Sequence, residues 1–157
     1  MAVKIRYAKT PDLDAVLDLW WELHHFHIKD LKLGMTFEYA PDAAEKLRKH
    51  YLESLLPQNR VVVADDNGKL VGFCEFGAFS RPPIYKDPKI LKVWALYVVP
   101  AYRSKGIGKK LLKEVDAVRK LAQMKELEIS AHVKNENAIA FYSSLGFQKR
   151  MVDMVKR

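Results

Sequence analysis

Apolar positions along the chain alternate between a period of two and a period near 3.6. Val3, Ile5 and Tyr7 alternate with Lys4 and Arg6, which predicts a short strand over residues 3–7. Thr10-Pro11-Asp12 supplies a cap-type residue, Pro at a first helical position and an early acid. Leu13, Val16, Leu17, Trp20, Leu23 and His27 then recur at helical spacing, predicting one helix over about residues 11–27. A second helix opens at Pro41-Asp42, carries Leu47, Tyr51, Leu52 and Leu55, and stops before Pro57. Residues 28–40 between them have mixed character and read as a loop or broken helix.

The next part of the chain reads as strands. Residues 60–64 and 69–79 are apolar and β-branched runs joined by Asp65-Asp66-Asn67-Gly68, a hairpin signal. The prolines between Arg81 and Pro88 mark a surface connection. Residues 91–99 are nearly continuous in apolar side chains, as in a central strand buried on both faces. Ile107, Leu111, Leu112, Val115, Val118 and Ala122 return to helical spacing. Leu127, Ile129, Ala131 and Val133 alternate again, and Ala138, Phe141, Tyr142 and Leu145 share the face of a short helix closed by Gly146. A last strand is expected over residues 147–155. The order β-α-α-β-β-β-α-β-α-β predicts an α/β (α+β) fold with a mixed, mostly antiparallel sheet flanked by helices.

The 157 residues suit one domain over 1–157, and 49% hydrophobic with 29% charged content excludes disordered and low-complexity classes. The single cysteine, Cys74, excludes an internal disulfide and a Cys-rich zinc site. Met1 to Arg6 has no apolar run behind its charges, and no stretch approaches the roughly 20 residues of a membrane helix. A cytoplasmic protein without a membrane partner is therefore expected. The net charge of +8 admits a nucleic acid, an anionic surface or a phosphorylated small molecule. The basic residues are scattered, with neither a Lys/Arg tail nor aromatic-basic interleaving, which weighs against nucleic acid. Their one concentration is Arg103, Lys105, Lys109 and Lys110.

That concentration surrounds a glycine loop, Arg103-Ser104-Lys105-Gly106-Ile107-Gly108, between a buried strand and a helix. Amides at a helix start lack intrahelical partners and the dipole is positive there, so a phosphate or pyrophosphate is the expected guest. Gly106 and Gly108 are expected to let it approach the backbone, with the basic side chains adding mobile charge. The string Gly-x-x-x-x-Gly-Lys-Ser/Thr is absent, and Gly108 is followed by Lys109, Lys110 and Leu111 rather than by a third spaced glycine. Both nucleotide-fold readings fail.

Residues 96–112, with Arg-x-x-Gly-x-Gly at Arg103 to Gly108, resemble motif A of the GNAT superfamily of N-acetyltransferases. The segment from Asn135 through Ala138 and Tyr142 to Gly146-Phe147 is similar to a second motif of that family. The two occur in the family's order, and the element order fits over essentially the whole chain. The resemblance implies that acetyl-CoA lies with its pyrophosphate on Arg103, Ser104, Lys105, Gly106, Ile107, Gly108 and Lys109. It implies that Leu96, Tyr97 and Val98 run beside the pantetheine arm, which Asn135 contacts from the next strand-helix junction. A backbone N–H near Tyr97 or Val98 would polarise the thioester carbonyl. Tyr142 would be the general acid to the departing thiolate, in place of a plain core aromatic. Homodimers are frequent in the family, so a homodimer is admitted.

The base is not assigned by the resemblance. Many members carry a carboxylate on the central strand, whereas Val93, Trp94, Ala95, Leu96 and Tyr97 offer none. Glu75 on the preceding strand is the first candidate and His132 the second, with a water chain as their competitor. His24, His25 and His27 invite a metal reading, but no acidic or thiol cluster accompanies them, so none is expected. His24 and His27 fit better as residues lining the amine acceptor's site. Cys74 within an apolar strand reads as a core residue rather than an acyl carrier. Trp20, Trp21 and Trp94 fit the core or the acceptor wall. The expected function is acetyl transfer from acetyl-CoA to a primary amine; a non-catalytic acyl-CoA-binding or sensor module is the alternative.

Overall fold

In the computed structural model, which describes residues 2–30 and 39–156, five strands stand side by side in chain order. They are β1 (Lys4–Tyr7), β2 (Val61–Asp66), β3 (Lys69–Ser80), β4 (Lys89–Val98) and β5 (Leu127–Ile129). The pairs β1/β2, β2/β3 and β3/β4 are antiparallel, and β4/β5 is parallel. The β2/β3 hairpin turns at Asn67 and Gly68, with φ of 53° and 90°. Two successive left-handed residues make the turn type that Asn-Gly favours.

Helices cover both faces. α1 (Leu13–His25) follows a 3-10 turn at Thr10–Asp12 and passes into a π turn at Phe26–Asp30. The predicted helix is thus found, but its winding changes before His27. α2 (Ala43–His50) also ends in a π turn, Tyr51–Leu55. Leu13, Val16, Leu17 and Leu23 of α1 and Tyr51 and Leu55 beyond α2 bury one sheet face, with Val61, Val63, Phe73, Ala95 and Tyr97. On the other face α3 (Ile107–Leu121) sets Ile107, Leu111, Leu112 and Val115 against Val62, Ala64, Val71, Cys74 and Val93. Phe141, Tyr142 and Leu145 of the α4 (Glu136–Ser144) region pack at the margin of that second core. β4 is therefore covered on both faces over most of its length, in keeping with its nearly continuous apolar run. The expectation for residues 28–40 falls largely on 31–38, which lie outside the described residues.

Two irregularities position the site. The register of β3 against β4 slips between Glu75, opposite Ala95, and Phe76, opposite Val93. Trp94 is the extra residue of that bulge, and bulges re-aim the side chains beside them. β5 pairs with β4 only at Leu91, Lys92 and Val93 and then stops, while β4 runs on to Val98. Beyond that point the two parallel strands part and leave a cleft.

The last strand expected over residues 147–155 is not formed. A nine-residue strand would need a long edge, and β5 offers three residues. Arg150 is paired with Glu126 and Glu128 beside β5, while Met151, Val152, Met154 and Val155 stand exposed. β5 likewise ends at Ile129, short of Val133.

Candidate active site

The cleft between the parted strands opens into a cavity of about 660 Å³. One wall is β4 from Val93 to Val98, the other is the chain from Ile129 to His132, and α4 closes the side with Ala138, Phe141 and Tyr142. Leu23, Phe26 and His27 reach it from the end of α1. At the far end lie Ser104, Gly106, Ile107, Gly108 and Lys109.

The glycine loop is a shaped backbone. Ser104 and Gly106 have φ of 58° and 76°, and Gly106 is the N-cap of α3 with no side-chain cap. The first helical bond, Lys110 N–H to the Gly106 carbonyl at 3.0 Å, leaves the amides of Ile107, Gly108 and Lys109 ahead of the intrahelical ladder. These are the unpartnered amides of a helix start, at the place in the chain where the sequence puts one.

The two glycines have different reasons. A Cβ at Gly106 would meet nothing within 4 Å, so glycine serves the left-handed backbone. A Cβ at Gly108 would lie 3.2 Å from Phe141 Cζ, so this glycine lets α3 approach α4. Gly106 and Gly108 both line the cavity. The basic side chains of the loop are tied to the backbone at two positions. Arg103 donates from Nε to the Val98 carbonyl at 2.8 Å and lies over the Phe26 and Tyr97 rings at 4.8 and 5.4 Å. Lys105 donates to the Ala101 carbonyl at 2.9 Å and is not on the cavity wall.

The other predicted residues divide by position. Leu96, Tyr97, Val98, Asn135 and Tyr142 line the cavity. The Asn135 side-chain oxygen caps α4 by accepting from Ala138 N–H at 3.2 Å, leaving its amide hydrogens for a guest. Burial pushes the Tyr142 hydroxyl well above the usual phenol range, so it stays protonated at neutral pH. Glu75 and His24 do not line the cavity. Glu75 accepts a 2.6 Å hydrogen bond from Tyr51 on the α1/α2 side, and burial raises its carboxyl above the ordinary value despite that bond and nearby His50. His24 is stacked on Trp20 at 3.4 Å and bonded through Nδ1 to the Trp20 carbonyl at 2.8 Å. His27 and His132 both line the cavity. Among the described residues no three His, Cys, Asp or Glu side chains gather as a metal site. Cys74 is fully buried in the α3-side core, and burial pushes its thiol up and away from reactivity.

Phe26 is a wall residue that sequence reasoning did not assign to the site, and Trp94, left between core and acceptor wall, lines the cavity. Trp94 stands half-exposed at the bulge, edge-on to Phe79 at 6.2 Å with the Lys92 ammonium 4.6 Å from its ring. Its placement depends on the register slip, which leaves no local signature. Phe26 has a signal in the sequence, its place three residues after Leu23, although it lies in the π turn that follows α1.

Residues 57–149 match the acetyltransferase (GNAT) domain family. The chain belongs to the GNAT family. An uncharacterised N-acetyltransferase of Archaeoglobus fulgidus is 32% identical over 146 residues, covering 90% of each chain. The N-alpha-acetyltransferase RimI of Mycobacterium tuberculosis is 32% identical over 93 residues, 59% of this chain and 54% of that one. The GNAT chain thus spans about half the length of that mycobacterial relative. A predicted acetyltransferase of Clostridium acetobutylicum, solved with acetyl-CoA, superposes with a TM-score of 0.75 at 18% identity, over 99% of this chain and 96% of that one. At that identity the likeness is one of fold.

Proposed function

We propose that this GNAT protein is an N-acetyltransferase that moves the acetyl group of acetyl-CoA to a primary amine, without a covalent acyl-enzyme. The observation that carries the reading is one cavity with a bare helix N-terminus at one end and a protonated phenol, Tyr142, on its wall. The amides of Ile107, Gly108 and Lys109 suit a diphosphate, and the Lys109 side chain adds charge beside them. β4 between Val93 and Val98 has lost its partner on the cleft side, so its backbone is available to hydrogen-bond an extended, amide-bearing arm as a strand would. Acetyl-CoA brings the activated thioester. Amides of β4 near Tyr97 or Val98 are the donors for its carbonyl oxygen, and Tyr142 is the acid that protonates the departing sulfur. The inert Cys74 supports direct attack by the amine.

Among the described residues, no carboxylate lines the cavity. That observation favours a second reading, an acyl-CoA-binding module that does not turn over. One experiment separates them. Thermal-shift titrations with acetyl-CoA, CoA and ATP should show selective stabilisation by the two CoA species. Thiol release with a panel of a polyamine, an aminoglycoside and a peptide with a free α-amine should then show turnover. Stabilisation with no release from any amine supports the module, and no stabilisation overturns both.

A further inference from the structure

A primary amine is mostly an ammonium at neutral pH, since its pKa is about 8 for an α-amine and about 10.4 for a lysine-type amine. Either a group on the cavity wall or a chain of water to solvent takes its proton. Tyr97, Tyr102 and Tyr142 are phenols held above their ordinary pKa, and Arg103 and Lys109 are cations. The remaining titratable groups among the described wall residues are two imidazoles from different elements. His27 comes from the π turn after α1, and His132 from the chain beyond β5.

The two rings differ in what they offer. Lys134 N–H donates to His132 Nδ1 at 3.1 Å, so that nitrogen is committed as an acceptor. The neutral ring then carries its proton on Nε2 and presents a donor. His27 reaches the cavity with Leu23 and Phe26 from the end of α1, a different element from the one that carries Tyr142. We propose that His27 is the general base, receiving the acceptor's proton while Tyr142 serves the departing sulfur; this rests on the acetyltransferase reading above.

The groups around His27 favour a neutral, receptive ring. Burial, and then the neighbouring His24 on α1 and His132 across the cavity, hold its pKa below the ordinary imidazole value. His24 lies 6.4 Å away, centroid to centroid. Arg103 of the glycine loop sits over adjacent Phe26, Tyr97 of β4 shares the wall, and Glu22, His25, Lys29 and Asp30 flank on its own element. The protons balance. One passes from the ammonium to His27, and the freed lone pair attacks the acetyl carbon. As the N–C bond forms and the C–S bond breaks, the nitrogen sheds a second proton while Tyr142 gives its own to sulfur. That second proton restores the phenol, and His27 returns the first to solvent.

The test follows kcat across pH for wild type, His27→Gln and His132→Gln, with acetyl-CoA and the amine of the panel above that turns over fastest, alongside calorimetric acetyl-CoA binding. His27→Gln should lower kcat by about 10²-fold or more. It should leave the acetyl-CoA Kd within about twofold and abolish the acid limb of kcat, which in wild type sets in below about pH 6.5. Added imidazole should restore turnover to His27→Ala, and the His27 NMR signal of the wild type should titrate at the midpoint of the limb. A His27→Gln enzyme with wild-type kcat and limb, or a limb that disappears with His132→Gln instead, overturns the assignment. If the variants do not fold, a His27 signal titrating away from the limb does so. A wild-type protein that binds acetyl-CoA but acetylates no amine of the panel overturns the acetyltransferase reading and the base together.

Discussion

Tyr51 donates a 2.6 Å hydrogen bond to Glu75, tying the π turn after α2 to β3 at its bulge against β4. Burial raises both groups' pKa values, so the carboxyl is held where its charge is poorly solvated. For a carboxyl whose folded pKa is raised, stabilisation is complete below the unfolded pKa and is lost as pH rises through the folded one. Glu75→Gln keeps an acceptor for Tyr51 and removes the buried charge. Its melting temperature should exceed wild type at pH 8, with the gap closing by pH 4. Its turnover should be near wild type, because Glu75 does not line the cavity. Equal melting curves at both pH values would remove this account of Glu75, and a large loss of kcat would return it to the list of bases.

The converse change is Tyr51→Phe. It leaves Glu75 buried without its donor and should cost about 1–3 kcal/mol, read by denaturant unfolding. A variant as stable as wild type would mean that the carboxyl finds water in place of the phenol.

The sequence disclosed the parts of this molecule that local chemistry decides. Asn67-Gly68 announces its turn because few other residues accept two positive φ values in succession, and Gly106 announces the loop for the same reason. The helical faces of α1 and α3 follow from apolar spacing that one-sided burial demands. What stayed hidden was set by pairing between distant segments. The slip that frees Trp94 is a relation between β3 and β4, and in an unbroken apolar run no residue marks it. The alternation of residues 147–155 reads as a strand, but whether a strand forms depends on the edge β5 offers. The neighbours of His27 come from α1, the glycine loop and the chain beyond β5, which no single segment of sequence brings together.

Gly106 and Gly108 should respond oppositely to enlargement. Gly106→Ala places a Cβ in open space but on a left-handed backbone, so it should destabilise by about 1–2 kcal/mol with the cavity's width kept. Gly106→Asp adds a negative charge at the anion site and should abolish acetyl-CoA binding; retained affinity in calorimetry would dismiss the loop as the diphosphate site.

Gly108→Val acts through Phe141 instead. The Cβ alone would lie 3.2 Å from Phe141 Cζ, and the added methyls must push that ring aside. Phe141 lines the cavity, so its displacement narrows the cleft against β4. The variant should therefore lose acetyl-CoA affinity by about tenfold or more, each tenfold being about 1.4 kcal/mol. Unchanged affinity together with lowered stability would mean that the ring moves away from the cleft.

Tyr142→Phe isolates the acid. The ring's contacts with Phe141 and Phe147 are kept, so fold and acetyl-CoA affinity should hold. Only the hydroxyl is lost, and kcat should fall by about 10²-fold with any thioester whose thiolate needs a proton. The sharper measurement varies the leaving group. An acetyl thioester of a more acidic thiol needs less help from an acid, so the deficit of Tyr142→Phe should shrink as the thiol's pKa drops. A deficit independent of the leaving group would place the Tyr142 hydroxyl in substrate positioning rather than proton transfer.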